Sequence, residues 1–163
     1  MEKRLGKLIS NLDLQIRKHK SLLSMLNKKL DAVVSQDWKK LQELVEESNP
    51  LLAQIRSLED ERVKIVNEIA GDGSISISQL VSMFETDKND ILVRKANELS
   101  RIVKEIESLV VQIDTLLKVS LEVIDYTVAL LSGNGSSGVL YGTGGREEKS
   151  ERNIYPLVLN IKA

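Results

Sequence analysis

The chain has 163 residues with 23 basic and 24 acidic side chains, so its formal net charge is −1 and no overall field would draw it onto nucleic acid or an anionic membrane. It has no cysteine and a single histidine, His19, which excludes disulfides, thiol catalysis, cysteine zinc sites and multi-histidine metal sites. Aromatic residues make up only 3% of the chain, and no apolar run reaches the roughly 20 residues of a membrane span or follows Met1 as in a signal peptide, so we expect an intracellular helical rod.

Two amphipathic helices are predicted first. Apolar residues recur every three or four positions over residues 5–33 and again over residues 38–69. The polar turn between them, Ser35-Gln36-Asp37, holds two candidate N-caps. Gly71-Asp72-Gly73 should end the second helix.

Asn49-Pro50 interrupts the second helical pattern. Because proline lacks an amide donor, this dipeptide predicts either a kink or a fresh helix start with Asn49 as the cap. Residues 1–40 are rich in basic side chains and residues 41–72 in acidic ones. The first two helices should therefore pair antiparallel.

A short helix and the longest helix follow. Ser76 and Gln79 have the spacing of a capping box, which predicts a short helix through Phe84. Thr86 or Asp87 should cap the longest helix. Apolar positions in that helix alternate by three and four residues, which predicts a left-handed coiled-coil seam. The seam consists of Leu92, Lys95, Leu99, Ile102, Ile106, Leu109, Ile113, Leu116, Ser120, Val123, Thr127 and Leu130.

The long helix has more apolar surface than one seam requires. A second line recurs every seventh residue, at Val103, Val110, Leu117, Ile124 and Leu131, and is widened by Val111, Val119, Leu121 and Val128. Such breadth requires two or more apolar neighbours. Two interpretations stay open: three-helix packing within this chain, or a partly uncovered face that accepts an amphipathic helix of another protein. The helix lengths, about 65 Å against roughly 50 Å for the earlier helices, favour an uncovered end.

Other candidate features have plainer explanations. The segment Gly133-Asn134-Gly135-Ser136-Ser137-Gly138 matches GxGxxG but follows a helix rather than a strand, so we interpret it as a linker. His19 lacks a metal-binding partner and is expected to lie at the edge of a seam or to be partly buried. Arg62 and Lys95 should extend their charged ends to solvent. We find no catalytic constellation and expect no cofactor.

The predicted fold is therefore all-α: an antiparallel coiled coil or bundle of three long helices plus a short one over residues 1–132. A Gly-rich, flexible tail is expected over residues 133–163. Within that tail, Tyr155-Pro156-Leu157-Val158-Leu159 is apolar. We hypothesise that residues 150–163 cover the apolar face of the long helix until a partner displaces them.

The chain resembles the FlgN family of flagellar type III export chaperones. The matching pieces are Asp37-Trp38, Leu58-Glu59 with Arg62, Ser78-Gln79-Leu80, and above all residues 113–123, which look like the family's Ile-Asn-x-x-Leu-Leu-x-x-Ser-Leu stretch. The segment at residues 140–145 resembles the family's Thr-Tyr tail. The chain departs from the pattern at Asp114, at Pro50 and in the extra apolar segment 154–161.

The resemblance implies a bacterial, cytoplasmic chaperone that is not an enzyme and needs no nucleotide. It would bind the C-terminal amphipathic helices of hook–filament junction proteins, prevent their self-association and deliver them to the membrane export gate. By position, the resemblance places the binding face at Leu117, Leu121, Ile124 and Val128, and we extend it along the apolar line to Val110 and Leu131. Tyr141 would lie in the tail that contacts the gate.

Two alternatives from other classes remain. The first is a structural or adaptor coiled-coil protein that dimerises through the long helix. The chaperone is instead expected to be a monomer or only weakly associated, and a dimer stays open for it. The second is a nucleotide-binding module that uses the Gly-rich tail.

Overall fold

A computed structural model describes residues 1–132, and its regular elements are four α-helices. They are α1 (Glu2–Val34), α2 (Trp38–Ala70), α3 (Ile77–Met83) and α4 (Asn89–Leu131). The all-α prediction of three long helices and one short helix is confirmed. None of these helices is long and apolar enough to cross a membrane. The predicted flexible tail, residues 133–163, lies outside the described residues, and the division into two domains stays a prediction.

Local capping signals set three of the helix ends. Of the two candidates in the first turn, Asp37 is the N-cap of α2, and its carboxylate accepts a hydrogen bond from the Lys40 amide at 3.0 Å. Helix α2 ends at Gly71, whose φ of 78° lies in the left-handed region that glycine adopts without strain. The predicted capping box of Ser76 and Gln79 opens α3.

The structure corrects two of the predicted helix boundaries. Helix α2 runs through Pro50 without interruption, so a fresh start capped by Asn49 is wrong. Helix α4 has Lys88 at its N-cap position with no side-chain cap, so neither Thr86 nor Asp87 caps it. The Thr86 hydroxyl donates instead to Asn89 Oδ1 at 2.7 Å, because the Asn89 side chain binds the end of α3, donating to the carbonyl of Phe84 at 2.8 Å.

Polar contacts define the directions of the long helices. Arg4 pairs with Glu68 at one end of the α1–α2 hairpin and Lys29 reaches Ser48 near the other, so α1 and α2 are antiparallel as predicted. Along α4, Lys88 donates to the Glu2 carbonyl and Glu98 pairs with Lys20 at 2.6 Å. Residue numbers therefore increase in the same direction along α1 and α4. These two helices are parallel, α4 is antiparallel to α2, and α1 packs extensively against both.

The core lies along α1 and uses only the first part of the α4 seam. The α4 side chains buried in it are Leu92, Ala96, Leu99, Ile102, Val103, Ile106 and Ile113. Further along the same seam, Leu116, Val123 and Leu130 are exposed. Helix α1 ends at Val34, so α4 has no further partner in the described residues once it passes the hairpin turn. The predicted long seam is therefore packed over roughly its first half.

Candidate functional site

The part of α4 that extends beyond the hairpin is the first component of the candidate site. We call residues 114–131 the α4 overhang; at 1.5 Å per residue it is about 27 Å long. Every residue from Leu121 to Leu131 is exposed. Its exposed large apolar side chains are Leu116, Val119, Leu121, Val123, Ile124, Tyr126, Val128, Leu130 and Leu131. An exposed group of this size is typical of a surface that binds another protein.

Exposure rises steadily along the second apolar line of α4. Val103 is 5% exposed, Val110 and Leu117 are half-buried, Ile124 is 48% exposed and Leu131 is 83% exposed. The same face of one helix is thus core at its start and solvent-facing at its end. Each of the two interpretations of this broad face therefore describes one part of it: packing within the chain covers the first half, and residues 1–132 leave the second half uncovered.

The polar residues of the overhang are arranged so that they leave this apolar surface continuous. Helical spacing places Asp114, Lys118, Glu122 and Asp125 on one side, and Lys118 pairs with Asp114 at 2.8 Å. The hydroxyls of Ser120 and Thr127 donate to the carbonyls one turn earlier on their own helix, at 2.9 and 2.8 Å. Because these hydroxyls are already bonded, an apolar partner can cover them without leaving a donor unpaired.

An open apolar cavity of about 280 Å³ between α1, α2 and α4 is the second component, which we call the end cavity. Its apolar walls are Leu22, Leu26, Leu41, Val45, Leu52, Ile106, Val110, Ile113 and Leu117. Leu117 belongs to both the cavity and the overhang, so the two components form one surface. Lys29, Ser48, Asn49 and Asp114 complete the lining.

Lys29 is the cation of the end cavity. Its ammonium donates to Ser48 Oγ at 2.8 Å, and the Ser48 hydroxyl donates in turn to the Val45 carbonyl. Burial among the apolar walls lowers the pKa of Lys29 below its ordinary value, because the charged form loses hydration there.

The predicted binding residues are distributed over both components. Val110 and Leu117 line the end cavity, whereas Leu121, Ile124, Val128 and Leu131 lie on the overhang. Tyr141 lies outside the described residues. Sequence reasoning missed the cavity walls from α1 and α2, and Lys29 with them, because only the register between three helices brings these side chains together.

A buried polar cluster between α1 and α2 was also missed. Asn11 and Gln15 of α1 bond to the Leu58 carbonyl of α2, and Arg62 forms a two-bond pair with Glu59, at 2.8 and 2.6 Å. Arg62 is buried, so the prediction that it extends to solvent is wrong. Lys95 pairs with Asp13 of α1 rather than simply extending to solvent.

His19 is fully buried next to this cluster, which goes beyond the seam-edge or partly buried position that was expected. Its Nδ1 lies 2.7 Å from the Gln15 carbonyl, so Nδ1 carries the proton and donates it. Burial lowers the pKa of His19, while the Gln15 carbonyl and the charge of Glu59 oppose that effect. Within residues 1–132 no group of three acidic, histidine or cysteine side chains is placed to hold a metal ion. We therefore interpret the cluster as fixing the α1–α2 register.

A protein-family model described as "FlgN protein" matches residues 1–149 of the chain. No curated protein and no solved structure matches it.

Proposed function

Since the chain belongs to the FlgN family of flagellar export chaperones, we propose that it binds the C-terminal amphipathic helices of hook–filament junction proteins in the bacterial cytoplasm. Binding keeps these segments from associating prematurely, and the complex is delivered to the type III export gate. The proposal rests mainly on the exposed apolar surface of the α4 overhang, which continues into the end cavity.

The shape of this surface suits an amphipathic helix. A helix presents apolar side chains at every third or fourth position, and such a ridge fits against a parallel strip on the overhang. The strip that continues the core face offers Leu117, Leu121, Ile124, Val128 and Leu131. The partner then takes the place that α1 occupies further back along α4.

The chemistry of the surface suits binding that must later be reversed. Its contacts are aliphatic and spread over several turns, and Tyr126 is the one aromatic residue between positions 114 and 131. Buried Trp and Tyr anchors give the tightest interfaces. Distributed aliphatic contacts therefore favour affinities in the nanomolar to micromolar range, about −12 to −8 kcal/mol. The delivery step, in which Tyr141 contacts the gate, rests on the family resemblance.

Titration calorimetry with parallel light scattering tests the proposal. The purified full chain is titrated with synthetic C-terminal segments of the hook–filament junction proteins from the source organism. A one-to-one complex with a negative heat-capacity change supports the proposal, because burial of apolar surface has that signature.

The same samples distinguish the main alternative. A monodisperse, folded chain that binds none of the segments contradicts the chaperone proposal. If that chain is also a dimer at micromolar concentration, the exposed overhang serves self-association and the structural coiled coil becomes the better account.

A further inference from the structure

Lys29 differs from Lys95 and Arg62, two other basic side chains that lie largely within the bundle. Lys95 pairs with Asp13, and Arg62 pairs with Glu59. Within residues 1–132, no carboxylate lies within ion-pair distance of the Lys29 ammonium. The described part of the chain thus holds a partly buried cation without a compensating acid.

The surroundings leave the Lys29 ammonium able to bind a further group. An ammonium has three donors, and Ser48 accepts from one of them. Asp114 also lines the end cavity, but its carboxylate is engaged by Lys118 at 2.8 Å. Because the apolar walls reduce the hydration of the ammonium, a carboxylate brought to it would form a stronger bond than at an exposed lysine.

The rest of the end cavity suits an aliphatic side chain. Nine apolar residues of three helices surround it, and its volume of about 280 Å³ is at the lower limit of small-molecule sites, roughly 300 Å³. The cavity opens next to the overhang, and Leu117 belongs to both. A helix lying along the overhang would therefore bring one of its side chains to the mouth of the cavity.

We infer that the end cavity is the specificity pocket of the surface that binds the junction-protein helix, which we call the cargo. An aliphatic side chain of the bound helix enters the cavity, and a carboxylate one turn away on that helix pairs with Lys29. The two cargo groups are three or four residues apart, because that spacing places them on the same face of a helix. This inference rests on the proposed function. It adds that cargo is selected by an acidic residue beside an aliphatic one.

Two lysine variants test the inference. Lys29→Met removes the charge and keeps a long side chain, whereas Lys28→Met removes the same charge from an exposed neighbour on α1. The synthetic junction-protein segments serve as probes in titration calorimetry, each also made with single Glu→Gln or Asp→Asn changes. Thermal melting by circular dichroism checks the fold of both variants. Lys29→Met should melt no lower than the unchanged chain, because it removes a cation that burial disfavours.

The expected result is specific to one position in each partner. Lys29→Met should weaken binding about tenfold or more, as a charge-assisted hydrogen bond is lost, and Lys28→Met should leave it within about twofold. One probe with an acid-to-amide change should also bind the unchanged chain about tenfold or more weakly. The same change should cause no further loss of affinity for the Lys29→Met chain.

Other results overturn the inference and are distinguishable from failure of the proposed function. Equal affinities of Lys29→Met and Lys28→Met for every probe mean that Lys29 does not select cargo, while binding itself still supports the chaperone. If Lys29→Met instead tightens binding of every probe, and this effect disappears once residues 150–163 are deleted, the chain's own C-terminal segment competes for Lys29 and the inference fails. If the unchanged chain binds no probe, both the proposed function and the inference fail.

Discussion

Ile113 and Ile124 provide a matched pair that compares a packed isoleucine with an exposed one on the same helix. They lie eleven residues apart on α4, which is three helical turns, so both face the same side. Ile113 is 9% exposed and packs in the core, whereas Ile124 on the overhang is 48% exposed. Replacing each by alanine changes the same side chain in two environments of one helix.

The expected stability changes differ strongly. Ile113→Ala should lower the free energy of unfolding by about 2–5 kcal/mol, since it leaves a cavity in the core. Ile124→Ala should change it by no more than about 0.5 kcal/mol, because the side chain makes little contact within the chain. Urea unfolding followed by circular dichroism measures both values.

The effect on binding is tested at Ile124 alone, because Ile113 also lines the end cavity. Full burial of an isoleucine side chain contributes about 1.5–3 kcal/mol, and roughly half of Ile124 remains for a partner to cover. Ile124→Ala should therefore weaken binding of the junction-protein segments by about 1 kcal/mol, or fivefold. Ile124→Asp also places a carboxylate in the apolar contact and should weaken binding at least about a hundredfold.

Two outcomes would refute this reasoning. If Ile124→Asp lowers stability as much as Ile113→Ala, the overhang is packed in solution and is not a free surface. If Ile124→Asp folds normally and binds as tightly as the unchanged chain, the cargo site lies elsewhere.

Three further predictions concern pH, packing and the tail. Because burial holds the pKa of His19 below its ordinary value, the unfolded chain takes up a proton near pH 6.5 that the folded chain takes up only at lower pH. Urea unfolding should show stability falling as pH drops below 6.5, by at most about 1.4 kcal/mol per pH unit from this group, and a His19→Gln chain with the same pH dependence would contradict it. Gly73→Ala should lower the melting temperature, since a Cβ there would lie 2.7 Å from Val63 Cγ1 and 2.9 Å from the Val63 carbonyl oxygen. Gly6→Ala, whose Cβ meets nothing within 4 Å, should not lower it. Deletion of residues 150–163 should tighten binding of the junction-protein segments if the tail competes for the overhang, and calorimetry showing an unchanged affinity would dismiss that competition.

The features predicted correctly depend on neighbouring residues in the sequence. The capping box at Ser76 and Gln79 and the N-cap at Asp37 are decided within one turn of backbone. The periodic apolar residues and the charge difference between the first two helices suffice to predict that α1 and α2 form an antiparallel hairpin. Asn89 shows the limit of such signals, because its side chain binds the end of α3, a contact that capping patterns do not include.

The features that were missed depend on register between helices. Glu59 and Arg62 have the spacing of any surface ion pair, and the pair is buried because it faces Gln15 of α1. A signal existed in the sequence: Asn11, Gln15 and His19 recur every fourth residue and form a polar line beside the apolar stripe. Lys29 gave no comparable signal, since its place in the end cavity is set by where α4 passes the hairpin.

The overhang also has consequences for the dynamics of α4. Isolated helices shorter than about 12–15 residues are marginal in water even when they are rich in alanine. The overhang is only a few residues longer and is rich in β-branched Val, Ile and Thr, which have lower helix propensity. Its backbone hydrogen bonds should therefore open with a free energy near zero, whereas those between Leu92 and Ile113 should open only with the core. Amide hydrogen exchange along one continuous helix should thus fall into two regimes divided near Ile113, and a bound partner should slow only the second.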